Sequence, residues 1–276
     1  MITVSDTPTK ITAFDGKYDE DSVEMQVLKQ MADSTENYRF SNLGRLEFEL
    51  SLRRAIVNAA AALNRSGLGF AVFHKSECNT EYWDRTGNGG FRLKEGTNPS
   101  DAIRDIYENG QKYATECATA MVIVYYGALL EIFTEEVFNE RFSSVYLMNW
   151  HELTPLLREI GNPRNVADVL LGDRCYFKNP EVSPKKPELQ GENVIVLPDK
   201  LYYGHGMGIK TADRIIRVLN ANRKEDAAQS AYFMENYAAR PNFKKLSEVA
   251  QNVSANSSSV LHWRPFPVPV LGRSGI

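Results

Sequence analysis

The sequence predicts an α+β fold in which an antiparallel sheet packs against a central helix. Helical patterns come first along the chain, and a 14-residue apolar run that begins at Cys117 follows them. Strand-like segments separated by turn residues come next, and further helical patterns succeed those strands. Helices and strands that are segregated along a chain, instead of alternating, are typical of this fold class.

Length and composition allow one large folded domain or two small ones. The chain has 276 residues, of which 43% are apolar and 24% are charged, and these are ordinary values for a globular protein. We predict a single catalytic domain over residues 1–250, in which residues 1–40 form an arm with little regular structure. Residues 251–276, which include "SANSSS" and "RPFPVPV", are predicted to form a flexible tail.

Charge and cysteine usage argue against several classes of protein. The net charge of -3, without a run of Lys or Arg, predicts neither nucleic acid nor a membrane surface as a partner. The apolar run is shorter than the ~18 residues of a membrane span, and the N-terminus lacks a signal-peptide pattern. Three widely spaced cysteines without CxxC or HExxH fit a reducing compartment, and we predict no metal and no cofactor.

In the first half of the chain, the elements are predicted from caps and periodicity. Ser41 or Asn42 caps a long helix that Gly67 ends, and a short strand at Phe70–Phe73 follows. The segment "TEYWDRTGNGGFRLK" predicts a hairpin, because glycine and asparagine in its centre tolerate positive φ. Ser100 is predicted to cap the next helix, which ends near Gly110.

In the second half, caps and turn residues predict short helices and a group of strands. Thr115, Thr134 and Thr211 are predicted helix caps. The predicted strands are Val145–Trp150, "DRCYFKNP", Val194–Leu197 and Leu201–His205, the last two joined at Pro198–Asp199. "ELTPLLREIG" is predicted to be helical or irregular because of its proline, and one or two helices are expected between Thr211 and Ala250.

Cys117 admits two interpretations. Free cysteine is among the most buried residue types, so a cysteine beside an apolar run is usually a packed thiol. The start of a helix, however, favours a thiolate through free backbone N–H groups and the helix dipole. Cys78 and Cys175 lie in or beside strand-like segments, where no helix start favours ionisation.

Two side chains are candidate partners of a Cys117 nucleophile. His205 lies in the glycine-rich "YGHGMG", and Glu192 lies just before an apolar strand, where a carboxylate is costly unless it is paired or protonated. A structural histidine and an exposed loop glutamate are the alternatives. Glu116 is not assumed to reach the sulfur, because adjacent helical residues point about 100° apart.

Five segments, taken together, resemble the spore-coat protein-glutamine γ-glutamyltransferases (transglutaminases) of Bacillus and its relatives. They are "AIRDIYENG", "YATECATAMVIVYY", "LGDRCYFKNPE", "GENVIVL" and "HGMGI", and the resemblance covers residues 40–250. It implies an NlpC/P60-like, papain-related core and calcium-independent catalysis. It also implies that Cys117 is the nucleophile, that Glu192 is its partner and that Glu116 lies in the site, with His205 in a neighbouring or orienting role.

The resemblance further implies what the enzyme acts on and where. The expected reaction joins glutamine and lysine side chains of coat proteins in the sporulating mother cell and the spore coat. Phe70 and Trp150 are expected to support the site by excluding water, whereas Leu189 and Gln190 depart from the aromatic and basic residues expected before "GEN". An NlpC/P60-type peptidase or amidase and a non-catalytic coat scaffold are the alternatives, and a monomer is compatible with the sequence.

Overall fold

A computed structural model describes the backbone of residues 1–256 and the side chains of residues 1–252. In that part of the chain the helices are α1 (Val23–Asp33), α2 (Leu43–Arg65), α3 (Pro99–Glu108), α4 (Cys117–Ile132), α5 (Glu135–Arg141), α6 (Ala212–Asn220) and α7 (Phe243–Asn256). The strands are β1 (Ile2–Val4), β2 (Thr7–Pro8), β3 (Tyr38–Phe40), β4 (Gly69–Phe70), β5 (Trp83–Arg85), β6 (Phe91–Leu93), β7 (Ala114–Thr115), β8 (Tyr146–Leu147), β9 (Arg164–Asn165), β10 (Arg174–Lys178), β11 (Gly191–Leu197), β12 (Leu201–Gly204), β13 (Gly208–Thr211), β14 (Tyr232–Phe233) and β15 (Tyr237–Ala238).

The largest sheet has five strands in the order β13-β12-β11-β10-β14, and every pair in it is antiparallel. β11 is the central strand, and all seven of its residues are buried. A strand that is covered on both faces is expected to be apolar along its length, as "VIVL" is. Glu192 and Asn193 are the polar exceptions in this strand.

Helix α4 packs against both β11 and α2. Fourteen of its sixteen residues are buried, whereas Cys117 at its first position is half-buried. The predicted arrangement of an antiparallel sheet on a central cysteine-bearing helix is therefore confirmed, and the fold is of the mixed α+β class. Burial of this helix on all sides explains why its sequence is apolar without an amphipathic period.

The prediction of little regular structure in residues 1–40 is wrong. Ser22 caps α1 by accepting a hydrogen bond from the Met25 backbone N–H at 3.2 Å. Met25, Leu28 and Met31 recur at helical spacing and are buried, and α1 packs against α2. Polar residues on the opposite side of α1 obscure this short apolar stripe in the sequence.

Several predicted elements are confirmed and others are shorter than expected. The helices after Asn42 and Thr134, the hairpin of β5 and β6, and the β11–β12 pair are confirmed. The strand predicted at Phe70–Phe73 ends at Phe70, and the one at Val145–Trp150 covers only β8, because Asn149 adopts a positive φ of 51°. Ser100 is not a cap, since Pro99 already begins α3.

The C-terminal part of the described chain contains β14, β15 and α7, and the sequence did not predict the two strands. Thr211 precedes α6, but its side chain makes no capping hydrogen bond. α7 continues past residue 251, and residues 257–276 of the predicted tail lie outside the described residues. None of the helices formed by residues 1–256 combines the length and the apolarity that crossing a membrane requires.

Candidate active site

Cys117 is the first residue of α4, and Glu116 is the residue that caps this helix. The Glu116 carboxylate accepts hydrogen bonds from the backbone N–H groups of Ala118 and Thr119, each at 2.6 Å, and from the Thr119 hydroxyl at 2.5 Å. The prediction that Thr115 is the cap is therefore wrong, because Thr115 belongs to β7 and pairs with β4. A carboxylate is well suited to this position, since it satisfies free N–H groups at the positive end of the dipole.

The Cys117 thiol resists ionisation. Burial and the negative charges of Glu192 and Glu116 raise its pKa to about 12. The side chain and the backbone of Asn193 oppose this shift by hydrogen bonding to the sulfur. The helix start, which was expected to favour the thiolate, does not outweigh burial and two nearby carboxylates. At neutral pH a nucleophilic Cys117 therefore needs a base that removes its proton.

Glu192 is the second residue of β11 and is only 3% exposed. Among the described residues, its Oε1 atom has no hydrogen-bond partner. Burial, together with the negative charge of Glu116, raises the pKa of Glu192 well above its usual range. The alternative of an exposed loop glutamate is thus excluded. A carboxyl group in this environment is suited to exchange protons near neutral pH.

A glycine on the neighbouring strand makes room for this carboxyl group. A Cβ atom at Gly204 of β12 would lie 2.8 Å from both Cγ and Oε1 of Glu192. Such distances are below van der Waals contact, so any larger residue at position 204 would displace Glu192. The glycine therefore has a steric role in the site that the sequence pattern did not reveal.

Asn193 and Arg174 also belong to the site, although sequence reasoning did not identify either. The Asn193 Nδ2 atom lies 3.5 Å from the Cys117 Sγ, and its Oδ1 accepts a 2.7 Å hydrogen bond from Nη1 of Arg174. Arg174 is 3% exposed. One signal was present in the sequence: Arg174 begins the strand that continues with "CYF", and a cation buried there needs partners, because an unpaired buried charge is costly.

His205 lies beside the cysteine-bearing segment and is bound to backbone groups. Its Nε2 lies 3.0 Å from the Gly69 carbonyl oxygen, and its Nδ1 lies 3.4 Å from the Tyr203 hydroxyl. Burial lowers the pKa of His205, and hydrogen bonds to the Gly69 and Thr115 backbone partly oppose this. The imidazole thus connects the backbone of β4 with that of β7, the strand that ends at Thr115. Only Glu116 separates this strand from Cys117.

A cavity of about 480 Å³ opens over Cys117. Phe70 and Trp150 both line it, and Phe70 is 42% exposed. The cavity is further lined by Val72, Phe73, Glu116, Ala118, Asn149, Gly161, Pro163, Arg174, Tyr176, Glu188, Gln190, Gly191, Asn193 and Tyr237. No cluster of three or more His, Cys, Asp or Glu side chains placed like metal ligands occurs within the described part of the chain.

A half-buried cysteine at a helix start, with a buried carboxyl group and an aromatic-lined cavity, fits an acyl-transferring thiol enzyme. The family model of protein-glutamine gamma-glutamyltransferases matches residues 1–250. The chain belongs to this family. It is a transferase of the protein-glutamine γ-glutamyltransferase type, and its substrates are proteins.

The relatives of this transferase agree with the assignment. It is 44% identical over 212 residues to the protein-glutamine gamma-glutamyltransferase of Bacillus cereus strain AH187, which covers 76% of this chain and 75% of the relative. Identity to the enzyme of Bacillus cereus strain B4264 is 42% over 233 residues, or 84% and 83% of the two chains. The transglutaminase from Geobacillus stearothermophilus without its C-terminal extension superposes with a TM-score of 0.71 at 44% identity, covering 75% of this chain and 98% of that one.

Proposed function

We propose that the chain forms isopeptide bonds between glutamine and lysine side chains through a Cys117 thioester, without calcium, with Glu192 as the proton-transfer group. One observation supports this assignment most directly. The carboxyl group of Glu192 is buried, has an unbonded oxygen among the described residues, and interacts electrostatically with the Cys117 sulfur. A base that must accept and return one proton per step requires this kind of environment.

In the first half-reaction, Glu192 takes the proton of the Cys117 thiol, and the sulfur attacks the carbon of a glutamine γ-carboxamide. The C–S bond forms, and the carbonyl electrons move to the oxygen. We expect the backbone N–H of Cys117, which Glu116 does not bind, to contact that oxygen. The C–N bond then breaks, the leaving nitrogen receives the proton from Glu192, and ammonia departs.

In the second half-reaction, the ε-amino group of a lysine attacks the thioester carbon. Glu192 accepts a proton from the attacking nitrogen, the C–S bond breaks, and the proton returns to the sulfur as the isopeptide product forms. Each half-reaction begins and ends with the same protonation state of Glu192. Glu116 stays in its capping position, where its charge keeps the pKa of Glu192 high.

The cavity walls are proposed to favour the amine over water as acceptor. Phe70 and Trp150 line the cavity together with Cys117, and aromatic walls limit the water that reaches a thioester. His205 is proposed to orient β4 and β7, since its ring is bonded to the backbone. The packing of α4 on β11 supports a papain-related, NlpC/P60-like core for this arrangement.

We also propose that the protein substrates are coat proteins and that cross-linking takes place in the sporulating mother cell and the spore coat. The support is the five-segment resemblance to spore-coat transglutaminases. Deleting the gene in the source organism is expected to reduce the detergent-resistant, high-mass coat proteins. A coat protein pattern that does not change would contradict this assignment without affecting the chemistry proposed for Cys117.

The reaction is tested by incorporation of a fluorescent primary amine into a glutamine-bearing protein, with and without a calcium chelator. We expect Cys117→Ala to abolish incorporation and the chelator to have no effect. Cys78→Ala and Cys175→Ala are matched controls, because both thiols lie outside the lining of the cavity over Cys117. These two variants are expected to retain most of the activity.

Three results would contradict the proposal. Equal loss in all three cysteine variants would remove Cys117 from its role. Release of ammonia without amine incorporation would indicate a hydrolase of the peptidase or amidase type. No reaction, together with a Cys117 that does not react with iodoacetamide at any pH up to 10, would indicate a non-catalytic scaffold.

A further inference from the structure

Arg174 is a buried cation without a carboxylate partner among the described residues. It is 3% exposed, and no Asp or Glu side chain of residues 1–252 lies within ion-pair distance of it. Its Nε donates to the Ile160 carbonyl oxygen at 2.9 Å, and its guanidinium lies 4.5 Å above the Trp150 ring. Moving a cation out of water costs several kcal/mol. We therefore expect a negative charge to develop near Arg174 at some stage of the reaction.

Asn193 connects this cation to the sulfur. Arg174 Nη1 donates to Asn193 Oδ1 at 2.7 Å, and Asn193 Nδ2 lies 3.5 Å from Cys117 Sγ. A guanidinium has no acceptor, so the amide oxygen must face Arg174 and the amide N–H₂ must face the sulfur. The donor and acceptor groups of the two partners therefore fix which way the Asn193 amide points.

We propose that Asn193 and Arg174 stabilise the Cys117 thiolate, with Asn193 as its hydrogen-bond donor and Arg174 as the positioning residue that orients and polarises the amide. The proposal rests on the proposed function, in which Cys117 is the nucleophile. The arrangement assigns the proton and the negative charge to different partners. Glu192 takes the proton, while Asn193, backed by Arg174, holds the charge left on sulfur.

The electrostatic surroundings of the sulfur explain why such a partner is needed. Two carboxyl groups, Glu116 and Glu192, disfavour the thiolate, and burial does the same. A hydrogen bond to a charged group stabilises that group enough to change its ionised fraction about tenfold. The titratable and charged groups that face the sulfur or line its cavity are Glu116, Arg174, Tyr176, Glu188, Glu192 and Tyr237.

The test is the rate of Cys117 alkylation by iodoacetamide between pH 6 and 9.5, with the modified residue located by mass spectrometry. Below the thiol pKa this rate is proportional to the thiolate fraction. We expect Arg174→Met and Asn193→Leu to slow alkylation about tenfold at each pH, which displaces the log-rate profile by about one pH unit. Arg174→Lys keeps the charge and is expected to restore most of the rate.

Arg92→Met is the matched control, because Arg92 lies 4.2 Å above the Tyr146 ring and outside the cavity lining. Its alkylation profile should coincide with that of the unmodified chain. If Arg174→Met does not fold, the double variant Arg174→Met/Asn193→Leu replaces the pair with apolar residues, an exchange that cores often tolerate, and should show the same displacement.

The proposal is overturned if folded Arg174→Met or the double variant, verified by circular dichroism, alkylates at the unmodified rate across the pH range. It is also overturned if Arg174→Lys and Arg174→Met are equally slow, since that pattern indicates packing and not charge. Failure of the proposed function is distinguishable, because alkylation requires neither a glutamine donor nor an amine. A displaced profile in a chain that incorporates no amine would leave the thiolate assignment standing.

Discussion

Asp173, directly before β10, and Glu192, in β11, are both buried carboxyl groups. They differ in the hydrogen-bond partners that surround them. Asp173 is fully buried and accepts four hydrogen bonds, from Arg53, twice from Arg240 and from the Leu170 backbone, at 2.8–2.9 Å. Glu192 has an oxygen without any partner among the described residues. Burial alone would raise both pKa values, yet the two arginines hold the pKa of Asp173 below its usual range, whereas that of Glu192 is raised well above its own.

The difference shows that the partners of a buried carboxyl group decide whether it holds the fold together or exchanges protons. The ion-paired Asp173 joins α2, through Arg53, to the residues before α7, through Arg240. Its proton affinity is low, so it stays ionised and holds these elements together. Glu192 is left with a poor environment for its charge, which makes it able to bind and release a proton near neutral pH.

The largest expected effect is the loss of activity in Glu192→Gln. An amide of the same shape cannot accept the Cys117 proton, so we expect kcat/KM for amine incorporation to fall about 10²–10⁴-fold. Asp173→Asn, measured where it is fully folded, should keep most of its kcat/KM, because Asp173 is held by two arginines and is not among the groups that act on the Cys117 thiol. Comparable losses in the two variants would remove the distinction between the two carboxyl groups.

The second prediction concerns stability. Asp173→Asn leaves Arg53 and Arg240 as buried cations without their shared carboxylate, and breaking a buried ion pair in this way costs about 3–5 kcal/mol. For a chain of this size we expect a melting temperature lower by on the order of 10 °C, measured by differential scanning calorimetry at pH 7. A decrease of less than about 2 °C would show that the network contributes little to stability.

The fold class and the outline of the site could be predicted from the sequence, because each depends on local patterns. The caps at Asn42 and Thr134, the apolar run after Cys117 and the strand "VIVL" carry their own signals, whereas the predicted caps at Ser100 and Thr115 were wrong. Glu192 could be named as a candidate beside His205, because a carboxylate next to an apolar strand is unusual, and the choice between the two rested on the family resemblance. Asn193 could not be identified, because strand alternation directs neighbouring side chains to opposite faces and the choice of Glu192 therefore argues against its neighbour. Gly204 acts only through a contact between strands, which no single segment encodes.

The third prediction separates the two carboxyl groups by pH. The folded-state pKa of Glu192 is raised, so its protonated form favours folding at acid pH and that contribution is lost as pH rises toward the folded pKa. Glu192→Gln and the unmodified chain should therefore melt alike near pH 4, while the variant melts higher at pH 8. Asp173 has the opposite sign: its contribution is complete above its ordinary pKa and is lost as pH falls through the lowered one.

Melting temperatures of the unmodified chain, Glu192→Gln and Asp173→Asn between about pH 2 and 8 provide the measurement. The melting temperature of Glu192→Gln minus that of the unmodified chain should become more positive with increasing pH, and the same difference for Asp173→Asn should become more negative as the pH rises through the lowered pKa of Asp173. If the two differences changed with the same sign, one of the two pKa directions would be wrong.

The smallest expected effect is that of His205→Asn, which tests whether an imidazole shares the role of Glu192. The His205 ring is bonded to backbone groups of β4 and β7 and to Tyr203, so its removal should disturb the position of Phe70 more than the proton transfer. We expect KM to rise severalfold while kcat and its pH profile change little. Separate values of KM and kcat decide the question, because a group that orients a wall of the cavity affects substrate binding, whereas a general base affects turnover. A kcat loss as large as that of Glu192→Gln would instead favour a Cys–His pair, and with it the hydrolytic reaction of the peptidase class.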